Sequence, residues 1–287
     1  MTMCLREGEV SNFPFNTRQQ KEGTRSSTIG GEIVMEGIVD SHTHVSLLPY
    51  EGLENMALAG VKKIIGCSIF FGAKHAETLF DHFHQMLTLS MKNAAQNGIR
   101  LFVAVGIHPM GTPEDWPRVI DALPDYLKMS DVVGLGEIGL HEGGQREQDV
   151  LREQLKVAKE YRVPVIIHTP PQDRVEITNK TIEIAAAVGM EPGKVIIDHA
   201  NLDIIDLIED FGAIPGLTIR QEGLTPHLLL NHLERFQRGV LNSDYSNLKP
   251  NDPLSVPKAV RYLELNGASP EIIARIARYN AEEVFGI

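Results

Sequence analysis

The residues of this chain best suited to chemistry stand at the ends of short apolar runs. They are His42 and His44 in IVDSHTH, Glu137 in VVGLGEIGL, His168 in VPVIIHTP, His199 in KVIIDHAN and Asp244 in GVLNSDYS. A His-x-His pair closing an extended strand is a chelating unit, because residues i and i+2 project to the same side and both imidazoles can reach one cation. Histidines combined with carboxylates suit Zn²⁺, Mn²⁺, Ni²⁺ or Fe²⁺ better than Mg²⁺, which prefers an oxygen shell. A lone histidine at a strand end is more often a hydrogen-bonded structural residue than a ligand. The repetition of one placement along the whole chain points instead to a ring of strands aiming these groups at a single point, and so to an enzyme.

The chain carries its own control. His82 and His84 form a second H-x-H, in DHFH, but inside a segment with helical periodicity over 78–96. On a helix, residues i and i+2 diverge by about 200°, so this pair is expected on a helix surface or in packing. His108 and His141 follow the third and fourth apolar runs and belong to the same face as the candidate ligands.

The elements that must position these residues follow from the runs themselves. Strand-like segments rich in Val and Ile occur at 37–41, 61–68, 101–107, 132–138, 163–168, 194–198, 213–219 and 239–243. Near-continuous apolar runs of this kind are expected of strands buried on both faces. Helical spacing separates them, as in 147–162 and 173–189, and Gly98, Gly189, Gly212 and Gly267 stand where helix-ending glycines belong. Ser269-Pro270-Glu271 opens a last helix that ends near Phe285. Eight strands alternating with helices over ~250 residues is the plan of a (β/α)8 TIM barrel, here with an extra C-terminal helix, and its active site belongs at the C-terminal ends of the strands. An open doubly wound sheet would need fewer strands and usually a glycine-rich phosphate loop; neither GxGxxG nor GxxxxGK[ST] occurs. Residues 1–34 are polar and aperiodic and are expected to be a disordered extension, with the barrel over 35–287 and Met35 a natural alternative start.

Composition narrows the class. With 43% hydrophobic and 23% charged residues, the chain can fill a globular core. It holds no apolar stretch of the ~18 residues that a membrane helix requires, and no secretory h-region. Cys4 and Cys67 make no disulfide framework, which fits a cytoplasmic protein. A net charge of −11 disfavours tight binding of duplex nucleic acid, which rests on clustered Lys and Arg. It leaves open a small phosphoester or other small-molecule substrate, because metal ions reverse the local field within a pocket.

DSHTH, VAVGIHP, GLGEIGL, PVIIHTP, VIIDHAN and NSD occur in the order and spacing of the TatD-type metal-dependent hydrolases of the amidohydrolase superfamily. The chain resembles that family over residues 36–287, and most closely its less-characterised branch related to archaeal TIM-barrel hydrolases. The resemblance implies two divalent metal ions, with His42, His44 and Asp244 holding one, His168 and His199 the other, and Glu137 bridging them. It also implies that His108 contacts the phosphate or leaving-group side of the substrate, and that Asp244 accepts a proton from the attacking water. Two ions ~3.5–4 Å apart lower the pKa of a bridging water, so that hydroxide attacks a phosphodiester, ester, lactone or amide. A mononuclear deaminase-like amidohydrolase and a non-catalytic metal-binding component are the alternative readings.

The chain departs from the family's nucleases after GEIGL, where it reads His141-Glu142-Gly143-Gly144, and at strand 8, where it reads Asn242-Ser243-Asp244-Tyr245-Ser246. Met110 also follows GIHP, where a second histidine is common. These changes spare the metal ligands and bear on DNase activity. Arg220, after strand 7, either reaches the barrel mouth to anchor a phosphate or carboxylate, or pairs with Glu222 or another acid. Lys249 and His227 are expected on a loop and a helix surface, and Trp116 in packing.

Overall fold

In the computed structural model the described residues are 28–29, 32–33, 37–247 and 251–287. The first four form a two-residue antiparallel pair, Thr28–Ile29 with Glu32–Ile33. The rest of the expected disordered extension, Cys4, Met35 and Lys249 lie outside the described residues.

Met35–Ile287 form one compact unit. Its strands are β1 (Ile38–Thr43), β2 (Val61–Cys67), β3 (Arg100–Val105), β4 (Val132–Gly139), β5 (Val165–His168), β6 (Val195–Ile197), β7 (Ile214–Thr218) and β8 (Val240–Asn242). They lie side by side in chain order in one 8-stranded sheet, every pair parallel. Helices α1 (Tyr50–Leu58), α2 (Ala76–Gln85), α3 (Met91–Gln96), α4 (Trp116–Leu127), α5 (Gln145–Tyr161) and α6 (Arg174–Val188) fill the first connections. The remainder are α7 (Ile205–Phe211), α8 (Pro226–Asn231), α9 (Leu233–Phe236), α10 (Ser255–Leu265), α11 (Pro270–Ala274) and α12 (Asn280–Phe285). This is the (β/α)8 barrel expected, with the unbroken helical run from Pro270 to Phe285, α11 through α12, as the extra helix. Each expected strand is present, and β1 runs on to Thr43, so that His42 is part of it. Among the described residues, no helix is long and apolar enough to cross a membrane.

The barrel closes where β1 meets β8, and residues of DSHTH and NSDY make that seam. Ser41 Oγ donates to the Leu241 carbonyl at 2.9 Å, and Asp244 N donates to the His42 carbonyl at 3.0 Å. His44 N donates to the Tyr245 carbonyl at 2.9 Å, and Ser243 N to Asp40 Oδ1 at 3.0 Å.

Strand periodicity separates an apolar plug from a polar layer. Val39, Ile65, Cys67, Ala104, Ile166, Ile196 and Val240 cluster with Ala281, Val284 and Phe285 around α12. Two residues further along their strands, Ile166 gives way to His168, Ile196 to Asp198 and Val240 to Asn242. The plug therefore fills the N-terminal end of the barrel and the polar residues its C-terminal end.

The helical H-x-H divides as expected. His82 on α2 is buried beside Phe70 and Phe83, and His84 is exposed. Burial, reinforced by His44, pushes the His82 pKa down to about 4 from 6.5. The unfolded chain therefore takes up a proton that the folded state refuses, so this contribution to stability is complete above pH ~6.5 and is lost as the pH falls towards ~4. His82→Leu should remove up to roughly 3 kcal/mol of acid destabilisation. Thermal melts from pH 7 to 4 should show the variant gaining on the wild type as pH falls; parallel wild-type and His82→Leu curves would contradict this.

Candidate metal centre

All the candidate ligands come together at the C-terminal end of the barrel. Glu137, 1% exposed, stands at the middle. Its Oε2 lies 3.4 Å from His42 Nε2, 3.4 Å from His44 Nε2 and 3.5 Å from His108 Nε2. Its Oε1 lies 3.0 Å from His168 Nδ1 and 3.3 Å from His199 Nε2. Asp244 Oδ1 is 3.0 Å from His44 Nε2 and 4.0 Å from His42 Nε2. The potential ligand atoms of His42, His44 and Asp244 form one compact group able to hold an ion, and those of His108, Glu137 and His168 crowd together beside it.

Two of these residues reach the centre differently from a simple strand end. His199 and Asp244 lie beyond β6 and β8, with left-handed backbone at φ 55° and 47°. A side chain past the last ladder bond is no longer aimed by the pleat, and this turn redirects it. Such conformations cost about 1–3 kcal/mol at non-glycine residues and persist where the surroundings enforce them, commonly at functional sites.

The hydrogen bonds fix which ring nitrogen faces the centre. His44 Nδ1 lies 3.2 Å from the Cys67 carbonyl, which can only accept, so Nδ1 carries the proton. Thr218 Oγ1 donates to Asp198 Oδ1 at 3.0 Å and therefore accepts from His199 Nδ1 at 2.8 Å. His42 Nδ1 donates to Asp198 Oδ2. Each of these rings thus turns an Nε2 lone pair inward, towards carboxylate oxygens. Lone pairs facing anions repel unless a cation stands between them, and His42 Nε2 is buried without a hydrogen-bond partner. The residues present fit a metal ion. His108 is the opposite case: Met110 N donates to its Nδ1 at 3.2 Å, which leaves the proton on Nε2 and no inward lone pair.

The electrostatics agree. Burial disfavours the Glu137 anion, but the charge of His42 and the bonds of His108 and His168 overcome it and hold the carboxyl well below its usual range. Burial also opposes charge on His42, yet the Glu137 and Asp198 carboxylates raise its pKa well above the ordinary histidine value. A position that draws a proton onto His42 between two carboxylates is one that favours a cation. Asp244 falls to about 2, against burial, chiefly through the histidines beside it, His44 foremost. Burial drives the Cys67 thiol up to about 11, so it remains protonated and leaves ligation to the histidines and carboxylates.

Two acids escaped the sequence reading. Asp198, fully buried, accepts from His42 Nδ1, His199 N, Thr218 Oγ1 and Asn242 Nδ2. These donors hold it below the carboxylate range against burial, with the His199 and His42 charges leading. Gly216 on β7 makes room for it, because a Cβ there would lie 2.2 Å from Asp198 Oδ1. Asp40 accepts from Ser243 N and, at 3.4 Å, from His42 N, and burial raises its pKa to about 7. The signal available in the sequence was an acid set directly after Val and Ile in a strand buried on both faces. Arg220 reaches the mouth and pairs there with an acid, its Nη1 lying 3.4 Å from Asp244 Oδ2. His141 Nδ1 is 3.2 Å from His168 Nε2; His227 is exposed on α8, and Trp116 packs against the core.

A parallel barrel whose strands present a buried histidine–carboxylate cluster at their C-terminal ends has the architecture of a metal-dependent enzyme. The family model for TatD related DNase matches residues 39–286. Over 251 residues the chain is 35% identical to an uncharacterized metal-dependent hydrolase of Methanocaldococcus jannaschii, covering 85% of this chain and 98% of that protein. It is also 35% identical over 143 residues to the uncharacterized metal-dependent hydrolase YjjV of Escherichia coli, covering 46% of this chain and 50% of that one. Among solved structures, the TatD-like protein of Archaeoglobus fulgidus aligns with a TM-score of 0.74 at 29% identity, covering 87% of this chain and 100% of that one. The phosphotriesterase homology protein of Escherichia coli, complexed with phosphate in its active site, aligns at 0.65 and 16% identity over 87% of this chain and 98% of that one, a likeness of fold alone. The chain belongs to the TatD related DNase family and is a metal-dependent hydrolase.

The tautomer lock makes a prediction. Asp198→Asn keeps the shape but weakens the hold on His42 Nδ1–H, and should lower metal affinity by about 10–100-fold. Metal-binding titrations with circular dichroism to verify folding would check it; unchanged affinity would remove Asp198 from this role.

Proposed function

We propose that this hydrolase uses two divalent ions, Zn, Mn, Ni or Fe, to cleave a phosphodiester, ester, lactone or amide bond. His42, His44 and Asp244 would hold one ion, His168 and His199 the other, with Glu137 shared. The observation that carries this reading is the division of Glu137, whose Oε2 faces His42 and His44 while Oε1 faces His168 and His199. A carboxylate that offers one oxygen to each set of imidazoles has the form of a bridging ligand. When bound, such ions act as Lewis acids on the scissile group and bring the pKa of a bound water towards neutrality.

The chain's own groups then divide the proton work. Asp244 is ionised at neutral pH, with a pKa of about 2, and its Oδ1 lies beside His44, where it can take the proton of the attacking water. His108 is neutral there, because burial lowers its pKa to about 4 against the pull of Glu137. Its Nε2–H points into the centre as an uncharged donor for the negative charge that develops on the substrate. A small phosphoester or acyl substrate fits a chain of net charge −11 better than tightly bound duplex DNA does.

Metal analysis of the reconstituted protein should give close to two ions per chain, and close to one would overturn the binuclear reading. Asp244→Asn should abolish turnover while preserving the fold. Retention of more than about a tenth of kcat, roughly 1.4 kcal/mol of barrier, would exclude Asp244 as the base. His108→Ala should lower kcat about 10²-fold or more without changing metal content, and loss of an ion would make His108 a ligand instead.

A further inference from the structure

We infer that the mouth of the barrel selects an amphiphilic anion, a substrate with a phosphoryl or carboxyl anion on the β5–β7 side and an apolar group on the β2–β3 side. The substrate orientation rests on the hydrolase reading above; the two binding features stand apart from it.

The anion side is a pair of arginines flanking the loop that carries His199. Arg174, the first residue of α6, donates from NH1 to the His199 carbonyl at 2.7 Å and from Nε to the Pro170 carbonyl at 3.1 Å. Neither bond is to a carboxylate. Arg220, after β7, approaches Asp244 Oδ2 at 3.4 Å. Much of this acidic chain's arginine is paired with acids, as Arg118 is with Glu77 and Asp115, and Arg235 with Asp206 and Glu209. Arg174 is instead half-buried and bound to backbone carbonyls. Burial and the repulsion of Arg220 lower its pKa, with Asp203 opposing. Two guanidiniums set on the residues of the centre itself, Arg174 on the His199 carbonyl and Arg220 beside Asp244, suit an anion, which each can grip in fork geometry.

The apolar side lies across the barrel. In a closed ring of 8 strands in chain order, the loops after β2 and β3 face those after β6 and β7. The loop after β2 exposes Phe70 and Phe71, 40% and 43% accessible, and the loop after β3 exposes Met110, 47% accessible. The two loops abut so closely that a Cβ on Gly111 would lie 1.9 Å from the Phe70 carbonyl oxygen. Phe71 packs edge-on against His108, with ring centroids 5.9 Å apart, so this wall reaches the ring that faces Glu137. Large apolar side chains left accessible beside convergent polar groups are the ordinary make-up of a ligand pocket. Charge on one rim and aromatic surface on the other define a polarity that a symmetrical apolar ester would not satisfy.

Isothermal titration of the metal-loaded full chain with phenylphosphonate, methylphosphonate and benzoate tests this without requiring turnover. Phenylphosphonate or benzoate should bind the wild type, and whichever binds tighter assigns the anion as phosphoryl or carboxyl. Arg174→Met and Arg220→Met should each weaken the better ligand by about tenfold or more at unchanged metal content. Arg220→Met leaves the His199 carbonyl bond intact and serves if Arg174→Met fails to fold. Phe71→Ala should weaken phenylphosphonate several-fold and leave methylphosphonate unchanged. Wild-type affinity in both arginine variants, equal binding of phenyl- and methylphosphonate, or binding of neither aromatic anion would overturn the proposal. A protein that binds as described but hydrolyses no ester, amide or phosphoester keeps the clamp and loses the mechanism.

Discussion

A carboxylate sealed from water must be solvated by the protein, and the burial of Asp198 imposes that demand at the one place where the barrel does its chemistry. Its donors come from β1 through His42, from its own turn through His199 N, from β7 through Thr218 and from β8 through Asn242. Leaving a buried anion partly unpaired costs several kcal/mol, so these strand ends are held in mutual register by the anion's need for donors. The same bonds set the protons of His42 and His199. Backbone geometry and ligand chemistry are thereby coupled through one side chain.

Much of this organisation was legible in the sequence. Buried parallel strands read as Val- and Ile-rich runs, and each run expected became a barrel strand. The candidate ligands were found because strand ends in such a barrel converge, and the helical His82–His84 pair was set aside for the same geometric reason. Asp198 and Asp40 were harder to read, because their roles depend on partners from distant strands such as Asn242 and Ser243. The left-handed turns at His199 and Asp244 were equally hidden, since neither residue type announces a positive φ. That Arg220 both reaches the mouth and pairs with an acid emerged only once the loop after β7 had been laid beside Asp244.

The histidines around Glu137 show how one residue type takes different roles from its second nitrogen alone. An oxygen acceptor behind the ring, as for His42, His44 and His199, turns a lone pair inward. A backbone donor behind the ring, as for His108, turns a proton inward. Spacing cannot distinguish these states, because they are decided by the group on the far side of the imidazole. The arginine rim and the Phe70–Phe71 wall add a further level, set by loops whose conformations the strand pattern does not encode.

The join between β1 and β8 has a mechanical meaning. The first and last strands meet through Ser41, His42, His44 and Asp40 on one side and Leu241, Ser243, Asp244 and Tyr245 on the other. An ion gripped by His42, His44 and Asp244 would span that join as a clasp spans a bracelet. Its binding free energy would then be spent in part on holding the ring shut, growing with the logarithm of free ion concentration over Kd. The place where the barrel is fastened is also the place where it would first come undone.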